Sequence, residues 1–82
     1  MITKEWLQKN GFEKDNTSPS SVEDYFRKEK GQGYISVRFK EDKAVGLYAY
    51  SENSHLNIRK VVLSDTTVTD DDLYNAIKIC RL

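Results

Sequence analysis

Cysteine, histidine and proline each occur only once in this sequence, and these scarcities exclude several classes of protein. Because Cys80 is the only cysteine, no disulfide can form within the chain. His55 and Cys80 are the only soft metal ligands, whereas structural zinc sites normally use four ligands. A fold held by disulfides or by zinc is therefore excluded, and no metal or cofactor is expected.

Long apolar runs are also absent. The longest uninterrupted apolar runs are a few residues, far below the ~20 that a membrane-spanning helix needs. The first residues, Met1–Trp6, lack the apolar core of a signal peptide. These absences predict a cytoplasmic protein with no membrane association.

Neither sign of charge dominates the sequence. Its 13 basic and 13 acidic residues cancel, whereas dedicated nucleic-acid-binding domains more often carry a basic excess. Phosphate binding is therefore not expected to be the main activity. With 82 residues, 38% of them hydrophobic, the chain is expected to form a single domain over residues 1–82. A core of this size is compatible with a monomer or with a homodimer that shares apolar surface.

Helix signals stand at both ends of the chain. Thr3 and Gly11 are placed as the N-cap and the C-terminal glycine of a short helix over residues 4–10. Thr69 is placed as the N-cap of a second helix, in which the aspartates at 70–72 favour the positive end of the helix dipole. Apolar residues at helical spacing, from Leu73 to Cys80, predict the buried stripe of that helix.

The middle of the chain alternates as strands do. Residues 34–40 place Ile35, Val37 and Phe39 on one face, and the return strand alternates through Val45, Leu47 and Ala49. After a turn at 51–54, residues 56–64 form a third strand. Its apolar phase shifts partway along, which predicts a β-bulge near Arg59–Lys60. Residues 13–21 are predicted to be a polar connector, and Gly31-Gln32-Gly33 a turn.

The segment 22–29 is ambiguous. Ser21 and the acidic residues after it resemble a capping box, which favours a helix. Tyr25 and Phe26 lead through Gly31 and Gly33 into a clear strand, which favours a hairpin. The predicted fold class is α+β: a small antiparallel meander of three to four strands, with an N-terminal and a C-terminal helix packed on one face.

No complete catalytic set is recognisable. Asp70, Asp71 and Asp72 fan out about 100° apart on a helix, so their carboxylates do not converge on a metal. His55 falls in a predicted turn, and Cys80 falls on the apolar stripe, where a cysteine acts as a small hydrophobic residue. An enzyme is therefore not expected, and a small enzyme is the weakest of the alternatives.

Aromatic and basic side chains collect on the sheet face away from the predicted helices. The alternation places Tyr34, Ser36 and Arg38 there from one strand, and Tyr48 and Tyr50 from its neighbour. Cross-strand pairing within the sheet is the simplest interpretation. Tyrosine and arginine are also enriched at protein interfaces, and aromatic residues on an open sheet can stack unpaired bases.

Two segments, one near each end of the chain, each carry a recognisable pattern. They are residues 2–12 and the stretch Asp72-Leu73-Tyr74-Asn75-Ala76-Ile77. They resemble the two ends of small proteins from gut-bacterial genomes and their phages or mobile elements. Those proteins tend to begin the closing helix with a His-Glu-Leu-Gln-type sequence, where this chain has Asp-Asp-Asp-Leu. The resemblance implies that residues 22–29 form the first strand, and it implies no activity and no site residues.

These observations favour a non-enzymatic protein-binding or accessory module. The candidate interaction face comprises Tyr34, Arg38, Tyr48 and Tyr50. Its partner would be another protein or a second copy of the chain. The alternative is single-stranded nucleic-acid binding through the same face, which the neutral charge balance disfavours.

Overall fold

Five antiparallel strands form a meander in which each strand pairs with the next one in the chain. The structure is a computed structural model, and it describes residues 2–29, 33–53 and 57–80. In chain order its elements are α1 (Lys4–Lys9), β1 (Glu13–Asp15), β2 (Glu23–Glu29), β3 (Gly33–Lys40), β4 (Lys43–Asn53), β5 (Asn57–Leu63) and α2 (Asp70–Cys80). The α+β class and the antiparallel meander are confirmed.

Both predicted N-caps are confirmed. The Thr3 hydroxyl accepts a hydrogen bond from the amide of Trp6 at 3.1 Å. At the start of α2, the amide of Asp72 donates to the Thr69 hydroxyl at 3.2 Å, and the Asp72 carboxylate accepts from the amide of Thr69 at 2.9 Å. This reciprocal pair satisfies helical N–H groups that would otherwise lack partners. Gly11 ends α1 with a φ of 85°, a conformation that glycine adopts without steric cost.

The strand count differs from the prediction. Residues 23–29 form β2, so the strand interpretation of this segment is correct. The predicted connector 13–21 is wrong in its first part, because Glu13–Asp15 form a short edge strand beside β2. A three-residue polar strand shows no apolar alternation, so its sequence carries no strand signal. The predicted turn at 51–54 also begins too early, since β4 continues through Asn53.

The β-bulge lies in β4 and not in β5. Arg38 pairs with Gly46 and Phe39 pairs with Ala44, which leaves Val45 as the extra residue. Ala44 therefore takes the buried position predicted for Val45, which is partly exposed. The β4–β5 register runs without a shift from Leu47↔Leu63 to Asn53↔Asn57, so the bulge predicted near Arg59–Lys60 is wrong.

One buried cluster joins strand and helix residues. Ile35, Val37 and Phe39 of β3 belong to it together with Leu7 of α1 and Leu73 of α2. Within the described residues, neither helix is long and apolar enough to cross a membrane. The core thus lies on the sheet face that carries Ile35 and Val37. Because side chains alternate along a strand, the residues on either side of Ile35 and Val37 lie on the opposite face.

Some sequence predictions fall outside what the structure describes. Gly31, Gln32 and His55 lie outside the described residues, and so does the side chain of Cys80. The predicted turn at Gly31 and Gln32, the predicted position of His55 and the predicted burial of Cys80 stay predictions. The turn prediction is wrong for Gly33, which is the first residue of β3.

Candidate interaction face

The strand register places the predicted face residues together. Tyr34 lies opposite Tyr50, and Ser36 lies opposite Tyr48, so these four side chains share one face of the β3–β4 pair. Arg38 follows on the same face. We call the whole surface the tyrosine face; it comprises Asp24, Phe26 and Lys28 of β2, Tyr34, Ser36 and Arg38 of β3, Gly46, Tyr48 and Tyr50 of β4, and Lys60 and Val62 of β5.

Aromatic rings form a continuous line across the tyrosine face. The rings of Phe26 and Tyr34 stack with centroids 6.1 Å apart and planes 19° apart. Tyr34 meets Tyr48 edge-on at 6.1 Å, and the Lys60 ammonium lies 5.5 Å from the centroid of the Tyr48 ring. Such offset and edge contacts are the favourable geometries for aromatic pairs. The rings therefore cross three strands, from β2 to β4, and the Lys60 ammonium extends the line to β5.

Arg38 is held in place by a carboxylate from the neighbouring strand. Its Nε and Nη2 donate to the two Asp24 oxygens at 2.8 and 3.0 Å. The Ser18 hydroxyl also donates to Asp24, at 2.9 Å. The hydrogen bonds from Arg38 lower the pKa of Asp24, and those same bonds raise the pKa of Arg38. Asp24 is only 8% exposed, and the bonds from Arg38 keep its carboxylate charged despite this burial.

A shallow recess lies between Arg38 and Tyr48. Gly46 lines it, Ser36 and Val62 flank it, and its volume is about 190 Å³. A Cβ at Gly46 would lie 3.2 Å from the Cβ of Arg38, which is closer than most Cβ contacts. The recess therefore depends on glycine at this position, and a larger residue would occupy it.

The face residues that β2 and β5 contribute were not predicted from sequence. Phe26 belongs to the segment whose helix or strand state the local signals left open. Lys60 and Val62 lie on β5, where the apolar residues 61–63 belong to both faces: Val61 and Leu63 pack against the core, while Val62 is 51% exposed. Once β2 is a strand, adjacent Tyr25 and Phe26 must point to opposite faces, and that signal could have found Phe26.

Acidic and soft-ligand side chains do not assemble elsewhere in the described part of the chain. Among the described residues, no group of three or more His, Cys, Asp or Glu side chains is placed to hold a metal ion. Asp72, one of three consecutive aspartates, is engaged in the cap of α2. The tyrosine face is therefore the arrangement whose chemistry can be argued.

Comparisons with known proteins gave no relative: no family model, curated protein or solved structure matches this chain. Its function must be inferred from the tyrosine face itself. That face offers aromatic surface, one oriented guanidinium, two lysines and a recess the size of a small ring.

Proposed function

We propose that this chain is a non-enzymatic accessory module that binds another protein through the tyrosine face. The observation that supports it is the continuous line of Phe26, Tyr34 and Tyr48. Aromatic side chains, together with arginine, are enriched where protein interfaces are buried. They supply a large contact area while losing little conformational freedom.

The proposal includes how the sheet is covered. Leu7, Leu73 and Ala76 are buried in one cluster with Ile35 and Val37, so we assign both helices to that face. The tyrosine face would then be left for a partner. Tyr48 remains 38% exposed there, although aromatic side chains of this size are usually more buried. The resemblance of the chain ends implies a bacterial or mobile-element origin, and we place the protein and its partner in the cytoplasm.

Protein binding is favoured over base stacking for two reasons. The stacked contact between Phe26 and Tyr34 and the ammonium of Lys60 on the ring of Tyr48 already occupy ring faces that bases would need. The charge of Arg38 is balanced by Asp24, which reduces its attraction for phosphate. A preformed aromatic surface suits a protein partner.

The test is capture with a matched tyrosine control. The tagged chain, the double variant Tyr34→Ala with Tyr48→Ala, and the control Tyr74→Ala would be compared on lysate of the source organism. Tyr74 is 57% exposed on α2, so the control removes an exposed tyrosine that does not belong to the face. A partner retained by Tyr74→Ala and lost by the double variant, and then reproduced with purified components, supports the proposal. Equal capture by all three chains contradicts it.

Self-association is the second form this binding can take. Light scattering at rising protein concentration would show a mass of two chains that the double variant loses. Urea unfolding of each variant, with unchanged slope, would show that the comparison concerns binding and not folding.

Single-stranded nucleic-acid binding is the alternative, and the exposed Lys28 and Lys60 on the same face as the aromatic line favour it. It predicts salt-dependent binding of a mixed-sequence oligonucleotide that Arg38→Ala and Lys60→Ala both weaken. Absence of such binding at low salt excludes it.

A further inference from the structure

The recess beside Gly46 differs from the rest of the tyrosine face because it is concave. Its volume of about 190 Å³ is below the ~300 Å³ at which drug-sized ligand pockets begin. It is close to that of the ~150 Å³ engineered protein cavity that binds benzene. One six-membered ring therefore matches its size.

The walls of the recess suit an uncharged ring. The Tyr48 ring and the Val62 side chain line one side, and Arg38 lines another with its charge balanced by Asp24. Ser36 and Ser64 also line the recess. Because a charged group would lose its hydration without gaining an unpaired counter-charge, the recess favours an aromatic side chain.

Charges of both signs surround the rings, since the exposed Glu13 of β1 lies opposite Phe26, but the row through Tyr34 ends in a lysine on each side. The register runs Lys28, Tyr34, Tyr50, Lys60 across four strands, and Lys28 and Lys60 are both exposed. Lysines at both ends of this row are complementary to carboxylates on a segment lying across it. Lys60 lies 5.5 Å from the ring of Tyr48, which lines the recess, so an acidic residue next to an aromatic anchor in the recess would lie close to that ammonium.

We propose that the recess is the anchor site of the tyrosine face, and that it takes one aromatic side chain from an acidic segment of the partner protein. This inference rests on the proposed function and adds the chemical class of the partner. Interface energy is commonly concentrated in a few aromatic anchors that fill pockets, which is the role assigned to this ring.

The experiment uses a defined peptide and the intact chain. Acetyl-Gly-Asp-Phe-Asp-Gly-amide would be titrated into isotope-labelled protein, and amide shifts followed by NMR. We expect saturable shifts centred on Gly46, Tyr48 and Ser64. Replacing the peptide's Phe by Ala should weaken binding at least about tenfold, as for loss of an anchor residue. Replacing both Asp by Lys should also weaken it. Shifts centred elsewhere, or equal binding of the Ala peptide, overturn the proposal.

Two variants test the two parts separately. Gly46→Val fills the recess and should abolish the shifts, with Gly46→Ala as a milder form if the valine impairs folding. Lys60→Glu, at an exposed position, should lower the preference for the Asp peptide over the Lys peptide. If a folded Gly46 variant still binds the Phe peptide, the recess is not the anchor site. If Lys60→Glu keeps the same preference for the Asp peptide over the Lys peptide, the proposal of an acidic partner segment is contradicted.

The outcome also separates this inference from the proposed function. If Tyr34→Ala with Tyr48→Ala loses the captured partner while Gly46→Val retains it, protein binding through the tyrosine face is supported and the anchor site is contradicted. If a short oligothymidylate shifts the recess amides and the peptide does not, the ligand is nucleic acid and the inference fails. If neither set of variants affects capture, both fail.

Discussion

Asp24 and Arg38 lie directly opposite each other on β2 and β3, and their side chains form a two-pronged ion pair with contacts of 2.8 and 3.0 Å. Such paired N–H···O bonds fix orientation as well as adding energy. Arg38 is half exposed while Asp24 is nearly buried, so the pair fixes an exposed side chain of the tyrosine face to a buried one on the neighbouring strand.

Asp24→Asn should destabilise the fold. The substitution removes the charge that Arg38 and Ser18 hold, and leaves the guanidinium without its charged acceptor. We expect a loss of about 1–2 kcal/mol in the free energy of unfolding, below the figure for fully buried pairs because solvent screens Arg38. Asp42→Asn is the control: Asp42 is fully exposed and lies 3.9 Å from Lys4, so its loss should cost under about 0.5 kcal/mol. Urea unfolding at pH 7 measures both, and equal losses would contradict the prediction.

The same pair should make stability depend on pH in acid. The pKa of Asp24 is lower in the folded chain than its unfolded value of about 3.9, so the folded state favours the charged form. Its stabilisation is therefore complete above pH ~4 and is lost as the pH falls through the lowered folded pKa. The stability difference between wild type and Asp24→Asn should be constant from pH 7 to 5 and shrink below 4. Asp15 and Glu23, whose pKa values are also lowered, are present in both proteins and largely cancel.

Glu41→Gly should stabilise the hairpin between β3 and β4. Glu41 has a φ of 58° at the first position of a two-residue loop, where side chains other than glycine are strained by roughly 1–2 kcal/mol. Glycine relieves that strain but adds freedom to the unfolded chain, which leaves a net gain of about 0.5–1 kcal/mol. Asp42 has no positive φ to relieve, so Asp42→Gly adds freedom to the unfolded chain, removes the weak contact with Lys4 and should destabilise. Thermal unfolding would show Tm shifts of opposite sign, and shifts of the same sign would contradict the argument.

Leu7→Ala should test how far α1 contributes to the core. Leu7 has no exposed surface, and truncation of such a residue leaves a cavity and costs about 3 kcal/mol. For a domain of this size, that corresponds to a Tm lowered by roughly 10–20 °C. The neighbouring Gln8 is exposed, so Gln8→Ala should change stability by under about 0.5 kcal/mol. If both variants melt like the wild type, α1 does not stabilise the core.

The features predicted from the sequence are those that depend on interactions between residues close to each other in the chain. The caps at Thr3 and Thr69 involve residues three positions apart, and both were predicted. Strict alternation in 34–40 was sufficient to separate Ile35 and Val37 from Tyr34 and Ser36. The aromatic part of the tyrosine face contributed by β3 and β4 was therefore predictable. Phe26 was not, because its segment carries helix caps as well as strand residues.

Interactions between distant segments decided the remainder. The Asp24–Arg38 pair joins residues 14 positions apart, and no local sequence pattern at either residue predicts it. The position of the bulge followed from the register of β3 against β4, which an apolar count on β5 cannot show. β1 exists because β2 offers it an edge to pair with, since its three residues have no strand pattern of their own.

The sequence by itself thus determined the two capped helices, the alternation of the central strands and the presence of tyrosines on one face. These features depend on local hydrogen bonds and on a period of two residues, both of which are written in neighbouring positions. Tertiary structure alone decided that Phe26 and Lys60 extend the aromatic line, that Asp24 holds Arg38, and that Gly46 leaves a recess beside Tyr48. Those features depend on which strands lie side by side and in what register, and many registers satisfy the same local pattern until the whole sheet has formed.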